Sequence, residues 1–177
     1  MPLAVVYETH ATTVDNERGI ATGWLPGQLS ARGRAEAAQM GERHRGTGVT
    51  AVISSDLARA VETTTIAVGG SCIPVHLDAR LRECDYGELN GRPRDDLARR
   101  AGRIDLPFRG GQSYRDVVAN TQSLLADLRR DHDGGRVLLV AHSANLWALQ
   151  HLLNGIPLED LVDAPFAWQP GWHWTLT

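Results

Sequence analysis

The chain has 177 residues, 42% of them hydrophobic and 22% charged, with a formal net charge of −3. That length suits one domain, expected to span residues 1–177 and to bury a core of ordinary size, and the charge excludes a general electrostatic attraction to nucleic acid or to an anionic membrane surface. Cys72 and Cys84 have no metal-type spacing, the start MPLAVVYETH has neither the basic flank nor the long apolar core of a targeting segment, and no run approaches the roughly 18 apolar residues of a membrane span, so a cytoplasmic protein is expected.

Ala4 to Tyr7 has the β-branched and aromatic content of a buried strand, and Thr9, Ala11, Thr12, Thr13 and Asp15 have the composition of a loop leaving its end. His10 therefore sits at the carboxyl edge of a strand, where open α/β sheets bind ligands. A Gly-rich loop with Trp24 follows (residues 19–28), and Ser30 is placed to cap a helix running to about His44, with Gly33, Ala37 and Met40 as a narrow inner stripe. Thr50 to Ser54 reads as a second strand. Asp56 is expected to cap the next helix, which ends at Gly69-Gly70, and Ile73 to His76 reads as a short strand.

Residues 81–110 are rich in charge, Gly and Pro, with one short helical candidate, Arg94 to Ala101, and read as a surface excursion over a site. From Ser113 a long amphipathic helix carries Val117, Val118, Thr121, Leu124, Leu125 and Leu128 at helical spacing. Arg136 to Ala141 is the best central-strand candidate, and His142 follows it directly. Ala144 to Leu153 is then helical, Pro157 to Val162 adds a further turn, and Trp172 to Leu176 reads as the last strand.

This alternation predicts an α/β protein, a three-layer α/β/α sandwich with a mostly parallel central sheet. In it His10, the segment from Ser55 to Arg59, and His142 follow three strand ends at one sheet edge. Those groups suit phosphoryl transfer. A neutral imidazole can attack phosphorus and form phosphohistidine, an arginine matches phosphoryl oxygens bidentately, and a carboxylic acid can protonate the leaving alkoxide. Glu83, at the start of the excursion, is the candidate acid. Trp24, Tyr86, Phe108 and Tyr114 either line an aromatic mouth or pack in the interior.

The residues resemble the histidine phosphatase superfamily, in its phosphoglycerate-mutase-like branch 1. The matching pieces are His10 with Asn16 six residues on, TGWLPGQLSARG (22–33), SSDLARAVETT (54–64), LRECDYGELNGR (81–92), GGQS (110–113) and VLLVAHS (137–143), in family order and over nearly the whole chain. The resemblance implies a phosphohistidine formed on His10, Arg59 and His142 as phosphate-pocket groups, Glu83 as general acid, and Asn16 and the backbone at Ser143 as further phosphate contacts. It implies that Thr22, Gly23 and Trp24 lie in the loop lining the substrate mouth, that no metal and no other cofactor takes part, and that the partner is a small-molecule phosphorylated substrate. Whether the chain acts alone or as a homodimer stays open.

Two departures stand out. The family signature at the nucleophile runs arginine, histidine, glycine, then an acidic or amide residue, whereas here Thr9, His10, Ala11 and Thr12 fill those positions. Thr9 offers one hydroxyl where a bidentate cation is expected, a loss on the order of 2 to 4 kcal/mol of transition-state stabilisation. His142 is followed by Ser143 and Ala144 where two glycines are usual. A phosphatase with a refitted pocket, an enzyme of changed acid/base chemistry (lyase, isomerase or transferase), and an inactive binding or regulatory module all fit these residues. Within the first reading a phosphatase is favoured over a mutase, because the excursion is a small lid.

Overall fold

The computed structural model describes residues 1–177. Seven strands and six α-helices follow in order: β1 Leu3–Thr9, α1 Val14–Glu17, β2 Ile20–Ala21, α2 Ala31–His44, β3 Ala51–Ser54, α3 Ala58–Val68, β4 Val75–Leu77, β5 Arg92–Pro93, α4 Tyr114–Asp131, β6 Arg136–Ala141, α5 Ser143–Asn154, α6 Leu158–Val162 and β7 Trp172–Leu176. The main sheet has the order β4-β3-β6-β1-β7, parallel except for the antiparallel edge strand β7. β6, the most continuously apolar run, takes the centre, as a strand covered on both faces should. No helix is long and apolar enough to cross a membrane.

Period-two alternation assigns the two faces. Leu3, Val5, Tyr7, Ile53, Val137 and Leu139 point to one side and pack under Leu124, Leu125 and Leu128 of α4 and Leu146 and Leu149 of α5. Val6, Val52, Leu138 and Val140 point to the other and meet Met40 of α2 with Ala67 and Val68 of α3. The result is the three-layer sandwich with a mostly parallel sheet that the element order predicts.

Ser30 caps α2 through an N–H bond from Gly33 (3.1 Å), and Ser113 caps α4 in a reciprocal box with Asp116. At Gly33 a Cβ would lie 1.8 Å from the carbonyl oxygen of Thr12, so only glycine lets α2 press against the loop that follows β1. The expected cap of α3 is different. Asp56 gives its carboxylate to Arg82 in a bidentate pair (2.7 and 2.7 Å), and Leu57 starts the helix with no side-chain cap. A guanidinium fork satisfies both carboxylate oxygens where a backbone N–H would satisfy one. Arg82 also stacks on Trp24, 4.7 Å from the ring centroid, joining the end of β3, the excursion and the first loop.

The excursion is not the surface strap its composition suggests. Cys84, Tyr86, Leu97, Ile104 and Phe108 are buried in a second apolar cluster with Tyr114, Val117 and Val118 of α4 and Trp147 of α5. Its helical candidate, Arg94 to Ala101, is two short 3₁₀ turns, Arg94–Leu97 and Arg100–Arg103, because Arg99 between them adopts the left-handed conformation (φ 64°). β2 and β5 pair antiparallel, which ties the first loop to the excursion.

Candidate active site

Three strands running the same way end side by side, and their next residues meet. The His10 N–H bonds the Ala141 carbonyl at 2.8 Å and the Ser55 N–H bonds the Val140 carbonyl at 2.9 Å, so the backbones after β1, β3 and β6 are joined at one sheet edge. Arg59, one residue into α3, turns back across this edge. Its Nε is 3.2 Å from His10 Nε2, and its Nη1 and Nη2 donate to the carbonyls of Leu25 (3.3 Å) and Gly23 (2.8 Å). Gly23 holds φ +56°, and a Cβ there would lie 1.7 Å from Asn90 Oδ1, so glycine is required for the loop to bring its carbonyl to Arg59.

The hydrogen bonds determine the His10 tautomer. Nδ1 lies 2.8 Å from the Ala11 carbonyl oxygen, which can only accept, so Nδ1 carries the proton. Nε2 faces the Arg59 Nε–H, which can only donate, so Nε2 presents a lone pair. Burial, then the Arg59 charge, pulls the His10 pKa down to about 3. The ring is therefore neutral and nucleophilic at physiological pH.

Glu83 is 6% exposed; its carboxylate accepts from the Cys84 N–H (2.8 Å) and the Ser143 hydroxyl (3.1 Å). Burial raises its pKa against the lowering effect of those bonds and of Arg59, which favours the protonated acid. Thr9, His10, Asn16, Thr22, Gly23, Arg59, Glu83 and Ser143 all line one cleft of about 830 Å³. Within it the Thr22 hydroxyl donates to Asp15 (2.8 Å), and Asn16 Oδ1 accepts from the Thr13 N–H (3.0 Å).

His142 is placed differently. Its ring centroid is 5.1 Å from that of His10, but it is fully buried and does not line the cleft. Nε2 lies 2.9 Å from Ser55 Oγ, Nδ1 has no partner, and Tyr7 donates its hydroxyl proton to the His142 carbonyl. It stands behind the nucleophile. Burial, with the nearby Arg59 charge, holds its pKa well below the ordinary value. The native ring thus refuses a proton that the unfolded chain binds below about pH 6.5, so stability present above that pH is lost as pH falls. Between pH 7 and 5 the wild type should therefore lose stability through this group that a variant lacking the imidazole keeps. Urea unfolding of the wild type and His142→Gln at both pH values checks it: a difference between the two proteins that does not change with pH would overturn the assignment.

Trp24 also departs from the expected mouth. Its indole N–H bonds the Glu83 carbonyl at 2.7 Å and its ring carries Arg82, off the cleft wall. Tyr86, Phe108, Tyr114 and Trp147 pack edge to face in sequence, with centroids 5.3, 6.0 and 5.6 Å apart. These aromatics are mainly interior packing, although Tyr86 and Trp147 also border the cleft. The wall also holds residues that sequence reasoning did not single out. Arg94 and Arg100 border it without a carboxylate partner among the ion pairs, on turns that show no apolar periodicity to flag them.

A match to the histidine phosphatase superfamily (branch 1) spans residues 9–168. The chain belongs to that superfamily. It is 34% identical over 164 residues to a "probable phosphoglycerate mutase GpmB" of Enterobacter sp. (strain 638), covering 88% of this chain and 76% of that protein. Among solved structures, YhfR of Bacillus stearothermophilus superposes with a TM-score of 0.88 at 27% identity, over 97% of this chain and 90% of that one. A mycobacterial glucosyl-3-phosphoglycerate phosphatase, solved with VO3, superposes with a TM-score of 0.80 at 30% identity, over 89% and 85%. This superfamily member therefore has both mutase-like and phosphatase relatives.

Proposed function

We propose that the protein hydrolyses a small-molecule phosphate monoester through phosphohistidine on His10. The observation that carries this reading is the His10 ring itself: protonated at Nδ1 against the Ala11 carbonyl, with its Nε2 lone pair at the Arg59 guanidinium, inside a cleft that also holds a buried carboxyl biased toward its acid form.

In the first step Nε2 forms a bond to phosphorus as the ester P–O bond breaks, and the leaving alkoxide takes the Glu83 proton. The imidazolium that results is held through Nδ1–H by the Ala11 carbonyl. Arg59 spends one N–H on each of two carbonyls and keeps one further N–H on each Nη for the phosphoryl oxygens, and its Nε–H, which faces His10 Nε2, is released to them once that nitrogen bonds to phosphorus. In the second step the Glu83 carboxylate takes a proton from water, whose oxygen attacks phosphorus as the N–P bond breaks. His10 is half-buried rather than sealed, so water reaches that intermediate, which favours hydrolysis over phosphoryl transfer to a second substrate position.

The test is a phosphate-ester panel read for inorganic phosphate, with rapid acid-free quenching to trap phosphate on the protein. Turnover without phosphate release or phosphohistidine would favour changed acid/base chemistry. Ligand binding without turnover would favour an inactive module.

Thr9 makes the pocket poorer in fixed positive charge than the family signature provides. Restoring it with Thr9→Arg should raise kcat/KM on simple acyclic phosphate esters by up to about a hundredfold, the effect of one charge-assisted bidentate contact. No gain in a folded variant would remove Thr9 as the limiting departure.

A further inference from the structure

We propose that the alcohol half of the substrate carries a ring with an apolar face, seated against Trp168 and Phe166; this rests on the phosphomonoesterase reading and adds a substrate class to it. The cleft extends from His10 to the loop between α6 and β7, where Asp163, Ala164, Pro165, Phe166 and Trp168 form part of the wall. Phe166 is 47% and Trp168 57% exposed, whereas the other four tryptophans are buried or half-buried. Single exposed aromatics on a surface are ordinary. Two of them on the wall of the cleft that holds the nucleophile are not scattered surface residues, because a bound ligand is what would cover them.

The loop that carries them is tied at both ends. At one end the Asp163 carboxylate accepts from the N–H groups of Arg100 (2.7 Å) and Ala101 (3.0 Å). At the other the Trp168 ring lies on the Arg43 guanidinium, 5.7 Å from centroid to Cζ. Arg43 in turn gives two hydrogen bonds of 3.1 Å to Glu8, a fully buried carboxylate that also lies 2.8 Å from His44 Nε2. Glu8 is two residues before the nucleophile on β1, and the phosphoryl chemistry leaves it without a task. Its task here is to fix the cation on which the indole rests.

An exposed ring fixed by a cation is a pre-organised stacking surface, so a ligand ring loses little additional freedom by settling on it. Arg32, Glu36 and Gln39 lie on the same wall and offer hydrogen bonds to ring substituents. Thr9 also lines the cleft, and its short side chain leaves to the ligand the volume that an arginine would occupy. On this reading the site exchanged part of its grip on phosphate for room beside the leaving group.

Calorimetric binding to His10→Ala, in which chemistry is off, compares 1-naphthyl phosphate, glucose 6-phosphate and glycerol 3-phosphate. At least one of the two ring esters should bind about tenfold tighter than the acyclic ester. The preference should vanish when Trp168→Ala is added and return in part with Trp168→Phe. Which ring ester is preferred distinguishes an aromatic from a sugar ligand. Equal affinities for all three, or a preference that survives Trp168→Ala, would overturn the proposal. Turnover of the same esters by the wild type is read separately: a Trp168-dependent preference without phosphate release would remove the hydrolase reading and keep the ring site, and phosphate release without a preference would do the reverse.

Discussion

His10→Ala should abolish the trapped phosphoenzyme and lower kcat by at least about 10³-fold on every ester that the wild type turns over, because it removes the atom that bonds to phosphorus and with it the two-step path. The methyl group leaves a gap where the imidazole stood, and Arg59 loses its Nε partner, but the Gly23 and Leu25 carbonyls still hold its two terminal nitrogens. The phosphate-binding side of the cleft should therefore survive, and substrate affinity should change far less than turnover. A variant that binds the ester, releases no phosphate and shows no labelled protein meets the expectation. Full turnover by a folded His10→Ala protein would exclude phosphohistidine altogether. A second arm uses His10→Asn, whose amide can still donate to the Ala11 carbonyl. It should be equally inactive, which separates loss of the nucleophile from loss of local order.

The convergence of His10, Arg59 and His142 was legible because apolar runs mark strand ends and parallel strands finish at one edge, whereas Glu83, in the excursion, was picked out only by the company it keeps. What strand ends do not show is which of two neighbouring side chains faces the cleft. His10 and His142 both follow strands, yet His10 takes the wall and His142 is sealed behind it, a distinction set by the Ser55 and Tyr7 contacts from distant segments. Long-range pairing also decided Asp56, whose local signal as a helix cap lost to Arg82. The 81–110 excursion hid its core because Tyr86, Leu97, Ile104 and Phe108 follow no helical or strand period. Trp168 escaped notice for the same reason: a loop aromatic has no spacing to announce it, and its place on the cleft wall depends on Arg43 and Glu8, far away in sequence.

Glu83→Gln should slow turnover of alkyl phosphate esters by about 10²- to 10⁴-fold and leave release of a good leaving group much less affected, since nitrophenolate departs without a proton. The substitution is close to isosteric. The amide oxygen can keep the Cys84 N–H, and the amide NH₂ can donate to Ser143 Oγ, so the buried position stays satisfied. The second step still needs a base, however, and the variant has none. With p-nitrophenyl phosphate it should therefore show a burst of about one nitrophenolate per site, then slow turnover while phosphoenzyme accumulates on His10. The pH profile gives the sign independently. The acid form of Glu83 is required for attack and its pKa is raised by burial, so wild-type kcat/KM on alkyl esters should hold to higher pH than an ordinary carboxyl allows and fall as Glu83 ionises. No acid limb from His10 should appear near neutrality, because its pKa lies at about 3. The alkaline limb should disappear in Glu83→Gln. Equal losses on both leaving groups, with no burst and an unchanged alkaline limb, would make Glu83 a structural carboxyl and send the search for the acid to the other groups bordering the cleft.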